Sequence, residues 1–179
     1  MTMNRDWFRE QLASGRITDA DRVVLCAGAI RTPTLLLRSG VDVPGIGERL
    51  QDHPAFTIAL RMRDAAIDPA TPTISVVATH AHHQVLALDH LPDAPALGAL
   101  TVGLLDVKSE GHIRLGADGE PVVELRQLTD ATDRARLVAG VVDTVRRLDH
   151  PAWASVFDEA FLDDSGTPVS ELMADPERI

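Results

Sequence analysis

Apolar residues follow three different patterns along this chain. From Arg22 to Gly28 the run Arg-Val-Val-Leu-Cys-Ala-Gly is continuous and β-branched. That is the pattern of a strand buried on both faces in a parallel sheet. Thr32-Pro33 then opens Thr34-Leu35-Leu36-Leu37-Arg38-Ser39-Gly40. Thr32 suits an N-cap, Pro33 the first helical position and Gly40 the stop. Upstream, Trp7, Phe8 and Leu12 sit at helical spacing within Asn4 to Ala13, which predicts a short helix before Gly15.

Beyond Val41 the pattern changes. Pro44-Gly45 and Gly47 punctuate a turn-rich connection to Pro54, which predicts a domain boundary near residue 50, between 1–50 and 51–179. Period-two or short apolar runs predict strands at 55–62, 73–79, 83–88, 99–107, 112–115 and 122–128, with turns at Asp68-Pro69, Leu91 to Pro95 and Asp118-Gly119. Strands at this spacing without intervening helices imply an antiparallel sheet. From Asp133 to Leu148 the apolar positions Leu137, Val138, Val141, Val142, Val145 and Leu148 recur every three or four residues. That predicts an amphipathic helix covering the sheet, stopped by Pro151. The tail from Phe157 reads as acidic and turn-rich, with a short helix at 170–174 and a solvated turn at Asp163-Asp164. The fold class expected is mixed: an α/β-type segment, then an α+β unit of antiparallel sheet and covering helix.

Composition narrows the function. Aromatics are 3% of the 179 residues and Tyr is absent, so the core must be aliphatic and few rings can stack on a base. Net charge is −10 and the 17 basic residues are scattered, whereas phosphate backbones need a basic stripe. Nucleic acid is not expected as a partner. The single cysteine, Cys26, reads as a small buried hydrophobe. No apolar run approaches the roughly 20 residues of a membrane helix, and the N-terminus has no signal-peptide pattern. A cytoplasmic location without membrane contact is expected.

The chemistry-bearing stretch is Val-Val-Leu-Cys-Ala-Gly-Ala-Ile-Arg-Thr-Pro-Thr-Leu-Leu-Leu-Arg-Ser-Gly, Val23 to Gly40. Small residues at Ala27-Gly28-Ala29 let backbone approach a bulky ligand, and the following helix N-terminus offers free N–H groups. A simple packing turn explains the same residues. The stretch resembles the second signature of the GMC (glucose–methanol–choline) oxidoreductases, through Gly28-Ala29, Thr32-Pro33, Leu35-Leu36-Leu37 and Ser39-Gly40. A second landmark, Pro44-Gly45-Ile46-Gly47-Glu48-Arg49-Leu50-Gln51-Asp52-His53-Pro54, resembles the family's link from the FAD-binding domain into the substrate domain. Ser109-Glu110-Gly111-His112-Ile113-Arg114-Leu115 resembles a substrate-domain strand of the same family.

The resemblance implies a partial, Rossmann-like FAD-binding segment over 1–50 and a substrate-binding-like domain over 51–179. It implies FAD as cofactor, contacted by Ala27, Gly28, Ala29 and Thr32, with a small alcohol as substrate. A general likeness points to the mycofactocin-associated subgroup. Departures accompany it. Val41-Asp42-Val43 replaces a longer family insertion, and no Gly-x-Gly-x-x-Gly fingerprint or catalytic histidine segment is present, so no catalytic residue is assigned. The expectation is a fragment that is inactive alone. The doubly apolar strand at 22–27 has no parallel neighbour within 1–50, so a second chain, another copy or a further segment should cover it.

His80, His82, His83 and His90 raise the question of metal. On one strand His80 and His82 would share a face and His83 would oppose them, with no matching Cys or carboxylate, so no metal site is assigned. His53 reads as structural, with Asp52 orienting its turn. Two other classes remain open: a non-catalytic α+β module binding a partner through the uncovered strand, and a degenerate remnant without ligand.

Overall fold

The computed structural model describes residues 21–41, 43–162 and 166–175. The helix expected at 4–13 and the Asp163-Asp164 turn lie outside them. Among the described residues, two antiparallel sheets and three α-helices make an α+β fold. Helix α1 is Gly28–Arg38, followed by strands β1 (Glu48–Leu50), β2 (Ala55–Met62), β3 (Ile74–His80), β4 (His83–Leu88), β5 (Leu97–Leu104), β6 (Gly111–Leu115) and β7 (Pro121–Glu124). Helix α2 is Ala131–Arg147, then come β8 (Phe157–Phe161) and α3 (Val169–Ala174).

The larger sheet has the order β3-β4-β5-β2-β8, and α2 lies across β5 and β2. Alternation puts Ile58, Leu60 and Met62 of β2 and Leu100, Val102 and Leu104 of β5 on the helix side. Leu137, Val141 and Val145, one helical turn apart, close the core from above. It is aliphatic, as the composition requires. Asp130 caps α2 by accepting hydrogen bonds from the Thr132 and Asp133 amides.

The smaller sheet, β1-β6-β7, carries α1. Gly47 shows why this junction needs glycine: its φ is +78°, and an added Cβ would fall on the Ile113 carbonyl. The Ile113 amide donates to the Gly47 carbonyl at 2.6 Å, which pins the turn to β6. Helix α1 ends in a Schellman motif, with the Gly40 amide donating to Leu37 and the Val41 amide to Leu36, each at 3.1 Å.

Several expectations change. Residues 22–27 form no strand here: the segment is unpaired, with Val23 75% and Val24 82% exposed, because the described residues supply no neighbour. Cys26 is exposed with it. Helix α1 starts at Gly28, so Thr32 and Pro33 lie inside it and Ala27 takes the N-cap position. The strand expected to reach residue 128 stops at Glu124, where Arg126 and Leu128 turn into left-handed backbone. Residues 48–50 and 157–161 are strands within stretches expected to be turn-rich. The two-residue turn Ala81-His82 makes His80 and His83 a cross-strand pair, so these two share a face.

Candidate functional site

The start of α1 is an open, small-residue edge. Residues 27–31 are exposed, and a Cβ on Gly28 would meet nothing within 4 Å. The Ala27 amide donates to the Thr32 hydroxyl oxygen at 3.0 Å, so Thr32 fixes the entry turn from inside the helix. The next amides, from Gly28 onward, belong to the first turn, where no intrahelical acceptor is available. All four residues expected to face a cofactor are therefore brought to one edge.

One cleft flanks this edge and a second adjoins the first through Gln51. One, of about 240 Å³, is lined by Ala29, Pro33, Gly47 to Gln51 and Ile113. The other, of about 400 Å³, is lined by Gln51, Asp52, His53, Leu105, Asp106 and Val107. Gln51 belongs to both, and its side-chain Nε2 donates to the Val107 carbonyl at 2.7 Å. Asp52 accepts from the His53 amide at 3.0 Å. His53 Nδ1 lies 2.8 Å from the Leu104 carbonyl, which can only accept, so the neutral ring is held with Nε2 unprotonated. Asp52 and His53 thus shape the wall of the second cleft, as the turn reading of this pair anticipates.

A buried polar clamp holds that wall to the large sheet's helix. Asp133, in the first turn of α2, is fully buried and accepts from the Lys108 amide (2.9 Å), the Ser109 amide (2.6 Å) and the Ser109 hydroxyl (2.6 Å). Burial pushes its carboxyl up, but the Ser109 hydroxyl and amide, joined by the Lys108 amide, outweigh this and leave it below the ordinary aspartate value. Ser109 Oγ in turn accepts from the Asp130 amide at 3.1 Å. Two residues on, an added Cβ at Gly111 would fall on the Glu124 carbonyl of β7. Ser-x-Gly is therefore a clamp followed by a close backbone crossing.

The histidines disperse. His83 Nε2 donates to the Arg136 carbonyl at 2.8 Å, and His90 pairs with Asp89 at 2.8 Å. Among the described residues no group of three or more His, Cys, Asp or Glu could hold a metal ion.

With this geometry in place, likeness to known proteins becomes informative. Residues 8–55 match the model of a family described as GMC oxidoreductase, and they span α1, its flanking turn and the Gly47 to His53 cleft wall. Over that stretch the chain is similar to the GMC oxidoreductases. Choline oxidase of Arthrobacter globiformis is 27% identical over 164 residues, covering 70% of this chain and 30% of that protein. The chloroplastic fatty acid photodecarboxylase of Chlamydomonas reinhardtii is 37% identical over 73 residues, covering 32% of this chain and 11% of that one. The crystal structure of pyridoxine 4-oxidase from Mesorbium loti superposes with a TM-score of 0.67 at 21% identity, covering 87% of this chain and 38% of that chain. The chain thus spans less than a third of the length of these curated GMC relatives.

Sequence reasoning missed Asp133 and the Asp130 cap. An Asp three residues ahead of a second Asp, just before the apolar stripe, was the available signal. It also missed Ile113 as a cleft wall, since only β1–β6 pairing brings residue 113 beside residue 47.

Proposed function

We propose that this chain is the cofactor-edge and substrate-domain portion of a flavin-dependent alcohol oxidoreductase, inactive until other segments complete it. In that arrangement residues 1–50 belong with the cofactor domain and 51–179 with the substrate domain. The observation that carries the proposal is the open α1 start, where Ala29 and Pro33 line a cleft bounded by the second GMC landmark and Thr32 fixes the adjoining Ala27 turn.

The residues present fit the edge of an FAD. Gly28 leaves its surroundings open, Ala29 adds only a methyl group, and the first-turn amides offer donors to an anionic or carbonyl oxygen. The cleft of about 240 Å³ takes a portion of so large a molecule, so partners must hold the rest. When bound, the flavin would supply the hydride acceptor for an alcohol CH–OH. This chain's own part is to position: Thr32 fixes the entry turn, Gln51 ties the two clefts together, and the Asp133 clamp holds their wall. The base that takes the hydroxyl proton is expected outside this chain.

The test is reconstitution. Adding the dinucleotide-fingerprint portion and the catalytic-histidine portion of a GMC oxidase in trans should give alcohol-dependent dye reduction that the chain alone lacks. Ala29→Arg should abolish it by filling the edge. Turnover that needs no added portion, or that Ala29→Arg leaves unchanged, contradicts the proposal.

A further inference from the structure

The large sheet has two edges, and the chain treats them differently. At β8, Asp158 and Glu159 pair with Arg63 (2.6 Å) and Arg61 (3.4 Å), and a bridge from Phe161 to Pro168 covers one end. Charges, a proline and a short strand are the usual protection of a sheet edge. At the other end β3 pairs, among the described residues, only with β4, so one row of its backbone groups has no partner within the described sheet. Ile74, Val76 and Val77 are 47%, 57% and 53% exposed. No Asp, Glu, Lys or Arg occurs from Pro69 to Leu88, a stretch of 20 residues in a chain that is 25% charged.

We propose that β3 is the interface of a homodimer, in which two copies pair this strand antiparallel about a two-fold axis through Val77. Three observations favour a second copy as the occupant. First, each copy carries a net charge of −10, and this edge is where two of them can meet without opposing carboxylates. Second, the strand is self-complementary. Centring on Val77 sets Val76 of one copy against Ala78 of the other, so apolar meets apolar at the centre, with Ile74 against His80 at each end and no charged residue in the register. Third, pairing consumes both open edges and leaves only the protected β8 edges, so assembly closes at two copies. The result is a continuous ten-stranded sheet, within the usual limit for open sheets. An interface of one strand pair lies at the small end of the range, so dimerisation should depend on concentration. The pairing does not depend on flavin.

Light scattering across a concentration series should show the mass rising from 19.3 kDa to twice that value and no further. In a Cys26→Ser background, Val77→Cys should cross-link into a disulfide dimer on mild oxidation. Val77→Lys should hold the chain monomeric at every concentration, with its circular dichroism unchanged. A mass that stays at 19.3 kDa or climbs past two copies overturns the proposal. So does a dimer indifferent to Val77→Lys, or introduced thiols that never join. The last two outcomes would move the interface elsewhere, to the exposed Val23-Val24 segment or to another chain covering it.

Discussion

Asp133 ties two distant stretches of this molecule together. It is buried, charged, and bonded to the Lys108 and Ser109 amides and to the Ser109 hydroxyl, joining α2 to the loop that precedes β6. Removing one member of such a set strands its partners, which costs more than the bonds themselves contribute. Asp133→Ala should therefore lower stability by roughly 2–4 kcal/mol in urea titration. The same residue sets an acid dependence. Its folded-state pKa lies below the ordinary 3.8, so its contribution is complete above that value and is lost as pH falls through the lower folded value. Asp130, lowered first by the Thr132 side chain and then by the Thr132 amide, acts in the same direction. Asp133→Asn should flatten the fall in melting temperature below about pH 4, as followed by circular dichroism. An unchanged acid profile would mean that the clamp carries no linkage.

At the scale of elements, strand periodicity was the most legible feature. Residues 55–62 and 83–88 are strands as expected; in 55–62 one face is buried and the other is not, whereas 83–88 is half-buried along its whole length. Helix α2 was legible for the same reason, its stripe of Leu137, Val141 and Val145 being the core itself. What stayed hidden depends on pairing between distant residues. β1 is three residues long and exists because Glu48 meets His112, which no local window contains. β8 was obscured by Asp158 and Glu159, the charges that protect the edge. The run at 22–27 misled in a more instructive way: its composition suits a buried strand, and the neighbours that would bury it are not among the described residues. The clefts were half legible. Ala29 and the Gly47 to Gln51 landmark could be picked out in the sequence, whereas Ile113, and the fact that these segments share one cleft, needed the fold. The small sheet gives the sharpest element-scale prediction. Gly111→Ala should cost roughly 3 kcal/mol in thermal unfolding, because β7 would have to move away from β6. A neutral substitution would show that this crossing can relax.

Over the whole molecule, one face of the sheet is packed by α2, while the first segment is packed on a separate small sheet through α1. The exposed 22–27 segment and the open α1 start lie side by side in sequence, so whatever covers one would adjoin the other. No helix among the described residues is long and apolar enough to cross a membrane. The central claim is that Ala27 to Thr32 forms the edge against which a flavin nucleotide lies. Hydrogen exchange of the chain combined with the two complementing GMC portions, with and without excess FAD, tests it most directly, since the first-turn amides have no helical acceptor and should exchange fast when free. FAD should slow exchange at 27–32 and in the facing 47–51 segment, and Ala29→Arg should remove the effect. Exchange that FAD leaves untouched at these residues, or slows only elsewhere, would contradict the account.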